Sequence, residues 1–143
     1  MTALKMPKVD RQILKNRDNI IKDISNFTKK QNILAEKEEL KPYETDGLTA
    51  YKQTPMLVVL PETTQEVSKI LSYCNKKKIK VVPRGAGTGL AGSALPLADC
   101  ILLGLGKFNK ILEKDYKNRC VVAQPGVTNL AITHAVQDKN FYY

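Results

Sequence analysis

The feature that most constrains the fold lies between residues 56 and 82. Met56-Leu57-Val58-Val59-Leu60 is an unbroken apolar run closed by Pro61, the pattern of a strand covered on both faces. Thr63, with Glu66 three positions later, forms a capping box in which each side chain satisfies a free amide at a helix start. Val67, Ile70, Leu71 and Cys74 recur at helical spacing. That predicts a helix with this stripe turned inward, reaching about Lys78. Lys80-Val81-Val82 follows as a second short strand. Strand, capped helix and strand of these lengths define a βαβ unit, because parallel strands need such a crossover.

Other elements group around this unit. Residues 8–30 read as one amphipathic helix, with Ile13, Leu14, Ile20, Ile21, Ile24 and Phe27 at helical spacing. Residues 36–51, interrupted by Pro42 and Gly47, read as a polar connecting loop. Residues 83–97 are too rich in glycine and small side chains for regular structure. Residues 100–103 form another apolar strand, 107–118 a charged connection, and Cys120-Val121-Val122-Ala123 a further strand ending at Pro125-Gly126. Thr128 caps a last helix with Ile132, Ala135 and Val136 inward. The expected class is α+β: an N-terminal helix and connecting segment over 1–50, then a small parallel βαβ-type sheet with helices over 51–143. The chain closes on Phe141-Tyr142-Tyr143 just after a helix. Because termini are usually polar and frayed, a fold truncated at its C-terminus is expected.

A chain of 143 residues suffices for one domain, and 43% apolar content excludes wholesale disorder. The 23 basic against 14 acidic residues give a net charge of +9, favouring an anionic partner without choosing among cofactor phosphate, nucleic acid and membrane. Lys76-Lys77-Lys78-Ile79-Lys80 reads as a solvated helix end. No aromatics interleave with these lysines for base stacking, which argues against a nucleic-acid module. The three cysteines, Cys74, Cys100 and Cys120, lack a CxxC pair and sit in apolar runs, as buried small hydrophobes of a reducing compartment would. No stretch approaches the roughly 20 apolar residues of a membrane span. A signal-peptide core is missing from the first thirty residues, and Asp10, Asp18 and Asp23 oppose a mitochondrial presequence, so a cytoplasmic protein is expected. His134 is the only histidine and is read as a surface residue, while Asp46 and Asp115 lack a base or a paired carboxylate nearby. Neither a catalytic nor a metal site is expected within the chain.

The strongest chemical signal is Pro83-Arg84-Gly85-Ala86-Gly87-Thr88-Gly89-Leu90-Ala91-Gly92-Ser93. Glycines this dense let successive amides turn toward one anion, making a phosphate-binding concavity. Thr88 and Ser93 add hydroxyls, and Arg84 a permanent charge suited to phosphate. The loop leaves the end of a parallel-type strand, where α/β proteins bind ligands. A plain surface loop with turn glycines is the bland alternative. Gly87-Thr88-Gly89-Leu90-Ala91-Gly92 also spells GxGxxG, so a nicotinamide-binding Rossmann domain competes. That domain needs a helix opening at the glycines, whereas Ser93-Ala94-Leu95-Pro96 follows here. Glu113 stands near the ribose-binding distance but in a charged connection. A Walker loop is excluded, since Ser93-Ala94 occupies the Lys-Ser/Thr positions.

With Tyr43-Glu44-Thr45-Asp46-Gly47-Leu48 and Pro55-Met56-Leu57-Val58-Val59-Leu60-Pro61-Glu62, this loop resembles the FAD-linked oxidases related to vanillyl-alcohol oxidase and p-cresol methylhydroxylase. Within that family it is most similar to the FAD subunit of glycolate oxidase and to D-lactate dehydrogenases. The resemblance implies the first subdomain, and the start of the second, of an FAD-binding domain of the p-cresol methylhydroxylase type. It also implies that the amides of Arg84, Gly85, Ala86, Gly87, Thr88, Gly89, Leu90 and Gly92 hold the FAD pyrophosphate, with Thr88 as a side-chain donor. Close relatives commonly carry glycine where Ser93 stands. Pro125-Gly126-Val127 matches the family's second cofactor-contacting turn, though alone it reads as a plain turn. Members that attach FAD covalently through this loop carry histidine where Thr88 stands, so noncovalent FAD is implied. The implied reaction is oxidation of 2-hydroxy acids. The substrate domain and any metal ligands or catalytic base would lie beyond Tyr143, which makes the chain inactive alone or dependent on a second chain that completes the flavin domain.

Overall fold

The computed structural model describes residues 6–143. Its center is a four-stranded sheet in the order β1 (Ile33–Leu34), β2 (Leu57–Val59), β4 (Cys100–Gly104), β3 (Lys80–Arg84). β2, β4 and β3 run parallel, and β1 pairs antiparallel with β2. The crossover helix α4 (Thr64–Lys77) connects β2 to β3 as expected, but the two strands are not neighbors: β4 lies between them. A second sheet is a hairpin of β5 (Ile111–Asp115) and β6 (Cys120–Ala123), followed by α5 (Asn129–Val136).

β2 and β4, the inner parallel strands, are buried on both faces. Leu57, Val59, Ile101 and Leu103 pack against Ile70 and Cys74 of α4 and against Ile20 and Ile24 of the N-terminal helices. Val58 and Leu102 point the other way, onto Leu40 with Leu34, Tyr43 and Leu60. Apolar runs without alternation follow from this double cover. Thr63 caps α4 by accepting from the Glu66 amide at 3.2 Å, whereas the Glu66 carboxylate takes the Glu62 amide at 2.6 Å rather than that of Thr63. Leu71 is exposed, and Tyr73 joins the apolar cover in its place.

Four expectations are corrected. The N-terminal segment is two helices, α1 (Arg11–Lys15) and α2 (Arg17–Ile24), broken at Asn16. The Asn16 side chain accepts a hydrogen bond from Asn19 Nδ2 at 2.6 Å, which ties the break to the first turn of α2. Arg17 is drawn down onto the carbonyls of Met56 and Ala35. Within the expected connecting loop lies a short helix, α3 (Lys37–Leu40), whose Glu39 carboxylate accepts from the amides of Ala35 and Glu36. β3 continues through Pro83 and Arg84, which proline permits because β3 is an edge strand and needs no outward N–H. Finally, the charged connection contains β5. Its alternation is hidden by a register shift between Ile111 and Glu113 and by its exposure.

Polar clamps tie the N-terminal segment to the sheet. Asp99, buried, accepts from Lys80 Nζ at 2.7 Å and from the Asp10 amide at 2.6 Å. Burial raises its pKa, but these donors outweigh it and hold the carboxyl below its ordinary range. Glu62 accepts from Lys29 at 2.6 Å, Asn32 at 3.1 Å and Lys107 at 3.0 Å. Lys107 also donates to Asn32 Oδ1 at 2.6 Å, which fixes the turn after β4.

Candidate functional site

The glycine-rich loop leaves the C-terminal end of β3 and stays irregular until Cys100, with no helix opening at its glycines. Gly87 and Gly92 take left-handed angles, φ 72° and 74°, that disfavor side chains. Among the described residues, no protein group accepts a hydrogen bond from the amides of residues 86–94. Exposed backbone donors in such a run at a strand end form a site an anion can fill. Thr88 and Ser93 are exposed within it, as is Leu90.

Beneath the loop lies the segment from Tyr43 to Leu48. Arg84 reaches back to it: Nη1 donates to the carbonyls of Thr45 at 2.7 Å and Tyr43 at 3.2 Å, and the guanidinium stands 5.7 Å from the Tyr43 ring centroid. The charge read as a phosphate partner thus also anchors the loop's first residue. Gly47 meets the loop's middle so closely that a Cβ there would fall 2.5 Å from the Thr88 carbonyl oxygen. Asp46 beside it is buried, with Oδ1 accepting from the Leu48 amide at 2.9 Å. Setting Asp46 aside for want of a base or a paired carboxylate missed this structural place. The available signal was its position next to a glycine in the motif around Tyr43.

The second turn is brought to the first. A Cβ on Gly85 would lie 3.9 Å from the Pro125 carbonyl oxygen. Gly126 is required by packing, since a Cβ there would fall 2.6 Å from the Leu105 and 2.8 Å from the Phe108 carbonyl oxygen. The amides of Gly126 and Val127 are already used, donating to Phe108 and Gln124 carbonyls. This turn therefore offers a partner its surface rather than free N–H groups.

Reactive side chains do not gather here. Burial pushes the Cys74 and Cys100 thiols up to about 11, so they stay protonated. Cys120 is exposed, against the expectation for all three cysteines: on the small hairpin its side of the strand faces solvent. His134 is exposed on α5. Among the described residues, no group of His, Cys, Asp and Glu could hold a metal ion, and no helix is long and apolar enough to cross a membrane.

A parallel sheet with an irregular, amide-presenting glycine loop at a strand end has the features of a phosphate-binding α/β protein, and the missing helix sets it apart from the Rossmann type. Comparison with known proteins specifies which. The family described as "FAD binding domain" matches residues 55–143, and the chain belongs to that family. It is 43% identical over 138 residues to glycolate oxidase subunit GlcD of Escherichia coli K12, covering 96% of this chain and 26% of that protein. It is 39% identical over 115 residues to the mitochondrial D-2-hydroxyglutarate dehydrogenase of Arabidopsis thaliana, covering 77% of this chain and 21% of that protein. The solved structure of p-cresol methylhydroxylase superposes with a TM-score of 0.77 at 25% identity, over 94% of this chain and 27% of its own. The 4-ethylphenol oxidase of Gulosibacter chungangensis gives 0.79 at 24% identity, over 95% and 27%, and shows the shared fold. The chain thus spans about a quarter of the length of these relatives.

Proposed function

We propose that this chain grips the FAD diphosphate in a flavin-dependent oxidoreductase of 2-hydroxy acids, of glycolate or D-lactate type, and holds the cofactor noncovalently. The observation that carries the reading is the run of unaccepted amides at residues 86–94 on a non-helical loop at the end of a parallel strand. A diphosphate supplies the acceptors such amides lack. The approach of Gly85 to Pro125 supports a role for the second turn at the same site. Flavin, when bound, supplies the hydride-accepting chemistry, and the protein's part is binding and orientation. Noncovalent attachment is supported by Thr88, which stands where covalently linked members carry histidine.

The substrate class rests on what the relatives are named for, since both glycolate and 2-hydroxyglutarate are 2-hydroxy acids. The groups that bind the substrate carboxylate and move its proton are proposed to come from outside this chain, with His134 exposed and alone on α5. Further polypeptide, either covalently continuous or a partner chain, is proposed to complete the domain at the hairpin. Two observations support that site: among the described residues β5 and β6 pair only with each other, and Leu112, Val122 and Leu130 are exposed.

Titrating the protein with FAD, FMN and NAD tests the reading. The expected outcome is saturable binding of FAD, with NAD competing poorly and the flavin passing into the supernatant on acid precipitation. Flavin kept in the pellet would overturn noncovalent attachment. NAD bound as well as FAD, or no flavin bound at all, would overturn the assignment itself.

A further inference from the structure

Among the described residues, one buried side-chain oxygen has no hydrogen-bond partner: Oδ2 of Asp46. The residue is 5% exposed, and its other oxygen is held by the Leu48 amide at 2.9 Å. No cation pairs with it, since the nearby Arg84 donates to the carbonyls of Tyr43 and Thr45 instead. Buried acceptors are nearly always satisfied, and an orphaned carboxylate oxygen is among the least favorable. Gly47, the next residue, lies directly under Thr88 and Gly89: a Cβ on it would fall 2.5 Å from one carbonyl oxygen and 2.9 Å from the other. An acceptor without a donor therefore sits beside a loop whose amides have no acceptors.

We infer that Asp46 is a positioning residue for the phosphate loop: when the loop closes on a diphosphate, one of its donors turns inward to Asp46 Oδ2 while the amides around it converge on the anion. The inference rests on the reading of residues 84–92 as the FAD diphosphate cradle. The chemistry is complementary. A carboxylate only accepts, so it holds N–H or O–H groups from below without offering the anion a rival donor. Oδ2 is fully enclosed, so its partner must come from the protein as the loop moves, not from the ligand. Thr88 and Gly89, the loop residues that Gly47 lies against, carry the candidate donors: their amides and the Thr88 hydroxyl.

Asp46→Asn is the test, because asparagine keeps an acceptor for the Leu48 amide but puts an NH2 where the loop donor must dock. Binding of FAD and of ADP, the latter carrying the diphosphate and adenosine without the flavin, is measured by calorimetry for both proteins. Thermal melts without ligand and hydrogen exchange of residues 86–94 with and without ADP accompany it. The expected result is an affinity loss of about tenfold or more for both ligands, the scale of a lost charge-assisted bond. The ligand-free Tm should be equal or higher, since a buried unpaired charge is removed. ADP should protect the loop amides in the wild type and not in the variant. Affinity unchanged in Asp46→Asn overturns the inference while leaving the flavin reading intact. A variant that loses affinity and ligand-free Tm together also overturns it, showing Asp46 to be merely structural. Wild type that binds neither FAD nor ADP overturns both readings.

Discussion

Single residues divide into those whose reason is local and those whose reason lies far along the chain. The loop glycines belong to the first kind, because left-handed angles at Gly87 and Gly92 follow from the segment's own turns. Their composition made the loop legible. Gly126 belongs to the second: the carbonyls of Leu105 and Phe108 crowd it, and only tertiary contact shows this. Glu62 was unreadable, since a lone acid in sequence carries no sign of its partners, and Asp46 was marked only by the glycine beside it. Glu62 has a testable titration. Its bond to Lys29 first, then those to Asn32 and Lys107, hold the carboxyl down to about 2 from an ordinary 4.5. A depressed carboxylate stabilizes the fold above its unfolded pKa and loses that contribution as pH falls through the interval. Glu62→Gln is therefore expected to melt lower than the wild type at neutral pH. The gap should close as pH falls from about 4.5 toward about 2. Melting curves at stepped pH check this, and a gap that widens in acid would contradict it.

At the level of elements, what could be read was whatever is buried on both faces or capped by its own side chains. β2, α4, β4 and α5 all emerged from apolar runs and from Thr63 and Thr128, each of which accepts the amide three residues on. The elements missed were those lacking such marks. β1 has two residues, α3 four, and β5 is a charged, mostly exposed strand with a bulge. The kink at Asn16 was invisible because apolar spacing runs on through it. The insertion of β4 between β2 and β3 could not be deduced either, since strand order is decided by tertiary packing. The cap on α4 can be weighed directly. Thr63→Ala removes the acceptor for the Glu66 amide and should cost about 1 kcal/mol, the usual loss for such a cap. Urea denaturation at neutral pH measures it, with the slope expected to stay unchanged because the same surface is exposed on unfolding.

For the whole molecule, the two sheets differ in how complete they are. The parallel sheet is closed by helices on one face and by α3 with its following turn on the other. Among the described residues the hairpin carries open edges, and an open pocket of about 440 Å³ between it and α5 is lined by Val121, Ala123, Ile132 and Val136 together with Phe141 and Tyr142. Exposed strands with apolar side chains tend to self-associate. Leu112→Thr combined with Val122→Thr should reduce self-association in sedimentation velocity, while threonine preserves strand preference. An unchanged distribution would show that these side chains do not drive association. The edge of the other sheet is guarded differently. The Arg84 carbonyl accepts from Leu105, so strand alternation turns the neighboring Pro83 nitrogen outward, where it has no proton to give. An intruding strand from another molecule would meet a gap in its ladder one residue before the glycine loop begins. The same imino acid that launches the loop thus keeps its doorway clear of amyloid-like stacking.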